Sequence, residues 1–425
     1  LTLFSARTDV LNDMERLLNQ PVSGGYYFLT QIRVLVTYLR LLFIPLNQNL
    51  DYDYPWTTHF LNLPTVGSFL LLVSIIILAL RLYRDHKLLS FGIFWFFLTL
   101  APESSFIPLK DVIFEHRLYL PMVGFGLFTV VGLYTLFQDR PLKSLNVFFI
   151  LLVGIYSLMT YQRNKVWKDE TTLWNDIMRK SPQKVRSYNN RGIDQMKRGD
   201  LSQAITDYNK AIEIHPDSAL AFNNRGDAYL GQGDFDQAIS DYTRAIEIEP
   251  RFTEAYYNRG TVYLKQGSLD EAVKDFDKAL EVDPHYGRAY YNRGTIRLRQ
   301  GNIGQALSDF NRAIEINPDY DLAYNNRGTI RLRQGNMEQA MSDFNKAIKI
   351  NPGSSPEIYN NRGNIYLNMG NFNLAMRDFN KALEIKPDYV SVYCNRGLAY
   401  EGVGDFDRAL ADYGRAISIN PDFAQ

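Results

Sequence analysis

Residues 289–320 read A-Y-Y-N-R-G-T-I-R-L-R-Q-G-N-I-G-Q-A-L-S-D-F-N-R-A-I-E-I-N-P-D-Y, and close copies of this unit fill the second half of the chain. Its Asn-Arg-Gly triplet occurs seven times, beginning at Asn190, Asn224, Asn258, Asn292, Asn326, Asn361 and Asn395. Successive triplets lie 34 residues apart, with one step of 35. A fixed period of this length indicates stacked supersecondary units, because one unit cannot bury its apolar face alone. The sequence therefore predicts a binding scaffold made of repeats.

Other positions of the unit are equally regular when the triplet is counted as positions six to eight. An aromatic residue occupies position four, a second glycine position fifteen, alanine positions twenty and twenty-seven, and proline closes each copy. Glycine can end a helix in a left-handed turn, and proline cannot continue one. This pattern resembles the tetratricopeptide repeat. The resemblance implies an all-α solenoid, a right-handed superhelix of helix-turn-helix units, in which each copy contributes a helix A and a helix B.

Composition differs between the two halves of the chain. Residues 64–163 are rich in Leu, Ile, Phe and Val, whereas residues 183–425 are polar and rich in Asn. The formal net charge is zero, which argues against nucleic acid as a main partner, because binding phosphates requires an excess of Lys and Arg. The single cysteine, Cys394, excludes a disulfide framework and a cysteine-based zinc site. No cofactor is expected.

The first half contains four hydrophobic stretches that approach the roughly 20 residues needed to span a membrane. They are Pro64–Leu80, Leu88–Leu109, Leu118–Phe137 and Leu145–Tyr161. Basic residues lie between the first pair and between the last pair, so the positive-inside rule places both loops in the cytoplasm. Four crossings would put the repeats outside the cytoplasm, in a bacterial inner membrane or an ER-like membrane. If Leu88–Leu109 does not cross, this topology changes.

The chain therefore divides into four predicted parts. Residues 1–63 form an extracytoplasmic or interfacial segment, and residues 64–163 a transmembrane region of about four helices. Residues 164–182 resemble half a repeat, because Trp174 and Ile177 precede Pro182 at the spacing of helix B. Residues 183–425 hold seven repeats. Because the chain starts at Leu1 and stops where a further repeat or cap should begin, we expect it to be a fragment.

Asparagine at position six is the predicted peptide-binding residue. An asparagine side chain has one acceptor and one donor group, so a regular row can hold the backbone amides of an extended peptide without reading its sequence. The alternative is that asparagine is only a common residue of this consensus. All seven copies have it, at Asn190, Asn224, Asn258, Asn292, Asn326, Asn361 and Asn395. We therefore expect a protein or extended peptide as the partner.

Arginine at position seven departs from the repeat family, in which leucine is usual. An aspartate follows sixteen residues later in every copy. Because helices A and B are antiparallel, this spacing predicts one structural ion pair inside each repeat. The pairs are Arg191 with Asp207, Arg225 with Asp241, Arg259 with Asp275, Arg293 with Asp309, Arg327 with Asp343, Arg362 with Asp378 and Arg396 with Asp412.

Two further motifs lie in the first half. Asp51 and Asp53 form an Asp-x-Asp pair that could hold a divalent cation, but the composition around them is also typical of a turn, and no metal site is assigned. Glu115, His116 and Arg117 lie at the outer end of the third stretch. Ionisable residues at a membrane boundary could hold the phosphate of a lipid-linked sugar, or they could only fix the depth of the helix.

Four short stretches, together with the repeats, resemble the transmembrane and tetratricopeptide repeat containing (TMTC) family. They are Leu29-Thr30-Gln31, Asn49-Leu50-Asp51-Tyr52-Asp53, Pro108-Leu109-Lys110-Asp111 and Glu115 to Pro121. That resemblance implies a membrane O-mannosyltransferase of the GT-C fold, a polyprenyl-phosphate sugar as donor, and repeats on the luminal side. Such enzymes carry acidic catalytic residues in a first outer loop that has no counterpart here, so no catalytic residue is assigned. Two hypotheses remain: a membrane-anchored scaffold that binds proteins, and the C-terminal part of a glycosyltransferase.

Overall fold

The structure is a computed structural model that describes residues 24–49, 52, 54–102, 113, 115–138, 142–353 and 355–421. Its described residues are helices and connections, without a β-strand. They divide into two compact units, residues 1–216 and 217–425, which are described separately below.

The first unit contains the hydrophobic helices, the connector and the first repeat. Its α-helices, numbered α1 to α8, are Gly24–Phe43, Leu63–Asp85, Lys87–Leu100, Tyr119–Phe137, Leu142–Asn164, Glu170–Lys180, Val185–Arg198 and Leu201–Ile214. Helix α1 has a buried face on which Val34, Tyr38 and Leu41 pack against Phe96 and Leu100 of α3. Its arginine Arg33 donates to the Thr57 hydroxyl at 3.2 Å. The apolar side of α1 is thus covered by protein.

Two described helices, α2 with 23 residues and α4 with 19, are long and apolar enough to cross a membrane. Helix α3 is shorter. It has 14 residues and ends at Leu100, so it rises about 21 Å, less than the roughly 30 Å of a hydrocarbon core. The rest of the predicted stretch Leu88–Leu109 lies mostly outside the described residues. The stretch Leu145–Tyr161 lies within α5, which also has 23 residues.

Helices α3 and α4 pack through glycine. A Cβ atom added at Gly124 would lie 2.6 Å from the carbonyl oxygen of Gly92, so neither position has room for a side chain. Nearby, the indole Nε1 of Trp95 donates to the carbonyl oxygen of Leu120 at 2.9 Å. Close backbone approach at small residues is the usual means of helix association in membranes, where apolar surface alone provides little driving force.

The second unit contains six copies of the repeat, each an antiparallel pair of helices. These helices, α9 to α20, are Ala219–Gln232, Phe235–Ile248, Thr253–Gln266, Leu269–Val282, Gly287–Arg299, Ile303–Ile316, Asp321–Arg333, Met337–Ile350, Pro356–Asn368, Phe372–Ile385, Val390–Gly402 and Phe406–Ile419. Between helix A and helix B, the glycine at position fifteen has a positive φ in all copies, for example 78° at Gly301. This left-handed conformation, predicted from the sequence, suits glycine because it has no Cβ.

Each repeat packs an aromatic ring of helix B against the glycine at position eight of helix A. Phe276, Phe310, Phe344 and Phe379 are fully buried, and so are the alanines at positions twenty and twenty-seven in their copies. At Gly363, an added Cβ would lie 2.6 Å from Cε1 of Phe379. Because interiors are close-packed, the small residues at these positions set the distance between the two helices.

Replacing Gly363 by alanine is therefore expected to destabilise the second unit. The better helix propensity of alanine is worth about 1 kcal/mol, but overpacking a filled core costs about 1–3 kcal/mol. Gly414 is the matched control, since it lies inside the last helix and an added Cβ there meets nothing within 4 Å. We expect Gly414→Ala to raise the free energy of unfolding in urea and Gly363→Ala to lower it. Equal effects of the two changes would contradict this packing role.

Candidate functional site

The structure brings together the arginine at position seven and the aspartate of helix B in every copy. In each case Nε and Nη2 of the guanidinium donate to the two carboxylate oxygens, at 2.5–3.1 Å. Such a bidentate arrangement fixes direction as well as distance. The aspartates are buried, with side-chain exposures of 2–8%. Each pair therefore joins helix A to helix B at a site with little access to solvent.

In copies three to seven, the third nitrogen of the guanidinium group, Nη1, donates to a residue of the preceding helix B. Arg259 donates to the hydroxyl of Thr243 at 2.9 Å, and Arg327 to the amide oxygen of Asn311 at 2.8 Å. In the first unit, Arg191 makes the same contact with Asn175 of the connector helix α6, at 2.5 Å. Each of these arginines lies on helix A and thus binds two other helices, helix B of its own copy and the helix before it. The sequence did not reveal this second partner, because the accepting residue varies between Asn, Thr and Asp.

Two copies add a second arginine to the same carboxylate. Arg297 donates to Asp309 at 2.8 Å, and Arg331 donates to Asp343 at 2.7 Å. Both lie one helical turn after the arginine at position seven, so spacing on helix A could have predicted them. For the single pair in copy three, the hydrogen bond with Asp275 raises the pKa of Arg259, against the opposing effect of burial. The arginines stay charged, as an ion pair between the two helices requires.

The asparagines at position six form a row along successive A helices of the second unit, and four of them donate a hydrogen bond through Nδ2. Asn258 donates to Oδ1 of Asn223 at 3.1 Å, and Asn395 donates to Oδ1 of Asn360 at 2.9 Å. Asn292 donates to the hydroxyl of Tyr257 at 3.3 Å, and Asn361 to the hydroxyl of Thr329 at 3.2 Å. The partner in each case belongs to the preceding copy.

The acceptor oxygen of these asparagines is used differently. Within the described part of the chain, Oδ1 of Asn258, Asn292, Asn361 and Asn395 accepts no hydrogen bond. Asn224 instead has a buried Nδ2 with no partner among the described residues. Asn190 is half-buried and lies in the first unit. The acceptors of these four asparagines, two on each side of Asn326 in the row, are thus open to a ligand that donates N–H groups.

Tyrosine rings pair beside this row in copies three and four. Tyr257 and Tyr286 have ring centroids 5.1 Å apart, and Tyr291 and Tyr320 have centroids 4.9 Å apart. Burial, together with the carboxylate of Glu254, raises the pKa of Tyr286 to about 12, so the hydroxyl stays protonated at neutral pH. The rings are half-buried, and they offer an aromatic surface with polar edges. The sequence analysis missed them, because only these two copies have tyrosine at position five.

A second network joins the last hydrophobic helix to the connector within the first unit. The buried carboxylate of Asp176 accepts from Arg163 of α5 at 2.8 Å, from Arg179 at 2.9 Å and from Lys180 at 2.6 Å. Lys180 also donates to the carbonyl oxygen of Gln48 at 2.6 Å. Hydrogen bonds therefore hold α5, α6 and the segment after α1 together, which a flexible linker would not do.

The remaining candidates lie largely outside the described residues. Asp51 and Asp53 are not described, and of Glu115 and His116 only the backbone is, within a short 3-10 helix, Glu115–Leu118. Arg117 is half-buried and follows them in that helix. Cys394 is a free thiol, and burial raises its pKa, helped by the carboxylate of Asp412. It is therefore protonated at neutral pH, which is the unreactive form of a thiol.

Comparison with known sequences identifies the repeats. Sequence models described as tetratricopeptide repeat match residues 223–287, 257–321 and 291–355, and further matches to such models cover 195–233, 356–389 and 390–423. Among solved structures, the Cut9–Hcn1 hetero-tetramer of APC/C is similar at 18% identity and a TM-score of 0.47, over 59% of this chain and 49% of the other. A tetratricopeptide repeat protein from Parabacteroides merdae has 24% identity and a TM-score of 0.42, over 56% and 93% of the two chains.

Curated relatives are protein O-mannosyl-transferases. The chain is 29% identical to Tmtc3 of Drosophila melanogaster over 28% of its length, and 34% identical to human TMTC2 over 24%. It is 24% identical to mouse TMTC1 over 46% of its length. These matches span only 13%, 12% and 23% of the relatives' own lengths. The repeat matches together run from residue 195 to residue 423, more than half of the chain, so the chain belongs to the tetratricopeptide repeat family.

Proposed function

We propose that this protein is a membrane-anchored scaffold that binds an extended segment of a partner protein along the row of A helices. The observation that carries the proposal is the set of four asparagine Oδ1 atoms along the row, those of Asn258, Asn292, Asn361 and Asn395, that accept no hydrogen bond within the described residues. An extended peptide presents backbone N–H groups at regular intervals, and these need acceptors when they leave water. The arginine pairs hold the helices that carry the asparagines, so the row is formed before a ligand arrives, which lowers the cost of binding.

Loss of the row is expected to weaken binding. We propose to screen the full chain against an unbiased library of extended peptides, beside a variant in which Asn258, Asn292 and Asn361 are replaced by alanine. Loss of about 1 kcal/mol per hydrogen bond, about 3 kcal/mol for the three changes, predicts a fall in affinity on the order of a hundredfold. The matched control replaces the exposed Glu247, Glu281 and Glu315, which pair with neighbours on the B helices.

The control variant should bind as the wild type does. Because the asparagines also link adjacent copies, circular dichroism must show that the alanine variant keeps its helix content. A folded alanine variant with unchanged affinity would rule out the asparagine row as the binding surface and direct attention to the edges and loops.

Membrane anchoring through α2 and α4, with the repeats outside the cytoplasm, is the second part of the proposal. Helix α2 ends near Arg81 and Arg84, and α4 is followed by Arg140 and Lys143. If the C-terminal ends of α2 and α4 both lie in the cytoplasm, the chain must cross back to the outer side between these two helices. Helix α5 then crosses from the cytoplasm and places the repeats on the outer side. A topology reporter inserted directly after α5 tests this; cytoplasmic activity of the reporter would reverse the orientation.

A second candidate function follows from the identity to protein O-mannosyl-transferases. In it, the chain is the C-terminal part of a glycosyltransferase that uses a polyprenyl-phosphate sugar, and the repeats present protein acceptors. Arg117, with Glu115 and His116, would contact the lipid phosphate, and no catalytic residue is assigned. The test is transfer of labelled mannose from polyprenyl-phosphate mannose to a bound peptide by the gene product with its natural upstream sequence. If that product transfers no mannose, the glycosyltransferase hypothesis fails and the scaffold function is the one that remains.

A further inference from the structure

Position nine of helix A carries one charged residue among the seven copies. It is Asp227 in copy two, whereas the other copies have Ile193, Thr261, Thr295, Thr329, Asn364 and Leu398. Asp227 follows Asn224 by three residues, so both lie on the same side of helix α9. It contacts the asparagine row directly, because Oδ1 of Asp227 accepts from Nδ2 of Asn258 at 3.0 Å.

The carboxylate of Asp227 is half-buried, and among the described residues it has no positively charged partner. Its Oδ1 also accepts from the hydroxyl of Tyr242 at 2.7 Å. Within the described part of the chain, no Lys, Arg or His lies within ion-pair distance of it, and Oδ2 accepts no hydrogen bond. Burial raises the pKa of this carboxyl, opposed by the hydrogen bond from Tyr242. By contrast, every aspartate at position twenty-three is bound by an arginine of its own copy.

We propose that Asp227 binds a Lys or Arg side chain of the partner peptide and so gives the asparagine row a preferred register and sequence. This inference rests on the proposed function, that the row binds an extended peptide. The asparagines bind backbone groups of the peptide and therefore do not select its sequence. Asp227, in contrast, is a largely desolvated carboxylate whose Oδ2 accepts no hydrogen bond within the described residues, so it should strongly favour a cationic side chain. Attraction between opposite charges grows as water is excluded, and charge-assisted hydrogen bonds are the strong ones.

A purely structural role for Asp227 is the competing explanation, because Tyr242 is fully buried and its hydroxyl needs an acceptor. The other copies argue against a need for charge in that role. Copies three to five have phenylalanine at the position of Tyr242 and threonine at position nine. Copy one has Tyr208 at that position and Ile193 at position nine, so a tyrosine there does not require a carboxylate at position nine.

These differences provide two variants that separate the roles. Asp227→Asn keeps an acceptor for the Tyr242 hydroxyl and removes the charge. The double variant Asp227→Thr with Tyr242→Phe gives copy two the residues of copies three to five, which the structure shows packed without a carboxylate. Asp236→Asn is the matched control, because it removes a carboxylate from an exposed residue of the same copy.

The experiment measures the affinity of the full chain for capped peptides from the screen, each made with Lys, Arg, Gln or Leu at every position in turn. We expect the wild type and Asp236→Asn to bind peptides with Lys or Arg at one position about tenfold more tightly than those with Gln. Both Asp227 variants should lose this preference and keep the affinity for the Gln peptides.

The outcomes distinguish the two levels of the proposal. A preference for Lys or Arg that persists in both Asp227 variants overturns the role of Asp227 and leaves peptide binding intact. If the wild-type chain binds peptides but prefers Lys or Arg at no position, the role of Asp227 is likewise overturned and peptide binding stands. If the folded wild-type chain binds no peptide of the library, the proposed function and this inference both fail.

Discussion

Replacing Asp309 by alanine is expected to lower the free energy of unfolding of the second unit by about 3–5 kcal/mol, the usual cost of removing one partner of a buried ion pair. Asp309 accepts from Arg293 at 3.1 and 2.6 Å and from Arg297 at 2.8 Å. Its side chain is 3% exposed. Without the carboxylate, two half-buried guanidinium groups lose their acceptor, and water cannot easily replace it.

Two further variants calibrate the effect of Asp309→Ala. Asp275→Ala removes a carboxylate that binds one arginine, Arg259, so we expect a smaller loss of stability. Glu315→Ala breaks an exposed pair with Arg312 on the same helix as Asp309, and such surface pairs contribute little to stability. Thermal unfolding gives the midpoint of each variant. Hydrogen exchange should show the loss of protection concentrated in copy four and its neighbours, since repeats interact mainly with adjacent repeats. An unchanged melting midpoint for Asp309→Ala would refute the structural role of the pair.

The second large effect is expected at Asp176 in the first unit. Alanine at this position leaves Arg163 and Lys180 without their shared carboxylate, and the side chains of both are at most 20% exposed. We expect a loss on the order of 3 kcal/mol and faster hydrogen exchange in helix α6. Arg179→Ala is the control, because that arginine is 77% exposed and its pair should contribute little.

The contribution of Asp176 is also expected to depend on pH. Burial alone would raise its pKa, but the hydrogen bonds from Lys180, Arg179 and Arg163 and the charge of Lys180 lower it below the ordinary value of 3.8. A lowered pKa means that the stabilisation is complete well above pH 3.8 and disappears as the pH falls through the lowered value. The difference in melting midpoint between the wild type and Asp176→Asn should therefore be large at neutral pH and shrink in acid. A difference that is constant with pH would exclude the charge of Asp176 as its cause.

The sequence alone was sufficient to predict the structural features that recur in every 34-residue repeat. The positions of glycine, alanine and proline depend on local backbone conformation and on packing inside one unit, so they recur wherever the unit recurs. The spacing of sixteen residues between Arg and Asp lies within one antiparallel helix pair, and it was therefore visible without a structure. Hydrophobicity identified stretches that correspond to the helices α2, α4 and α5 and to the helix α3 as far as it is described.

Only the tertiary structure shows which donor and acceptor atoms of the arginines and asparagines are already used inside the chain and which can bind a partner. Arginine Nη1 binds a residue of the preceding helix B that differs from copy to copy, and asparagine Nδ2 binds varied residues of the preceding A helix, so neither contact has a sequence signature. Asp176 and Asp227 occur at single positions and belong to no period. Their importance follows from burial and from the charges around them, which depend on how distant segments pack and which a repeat pattern does not specify.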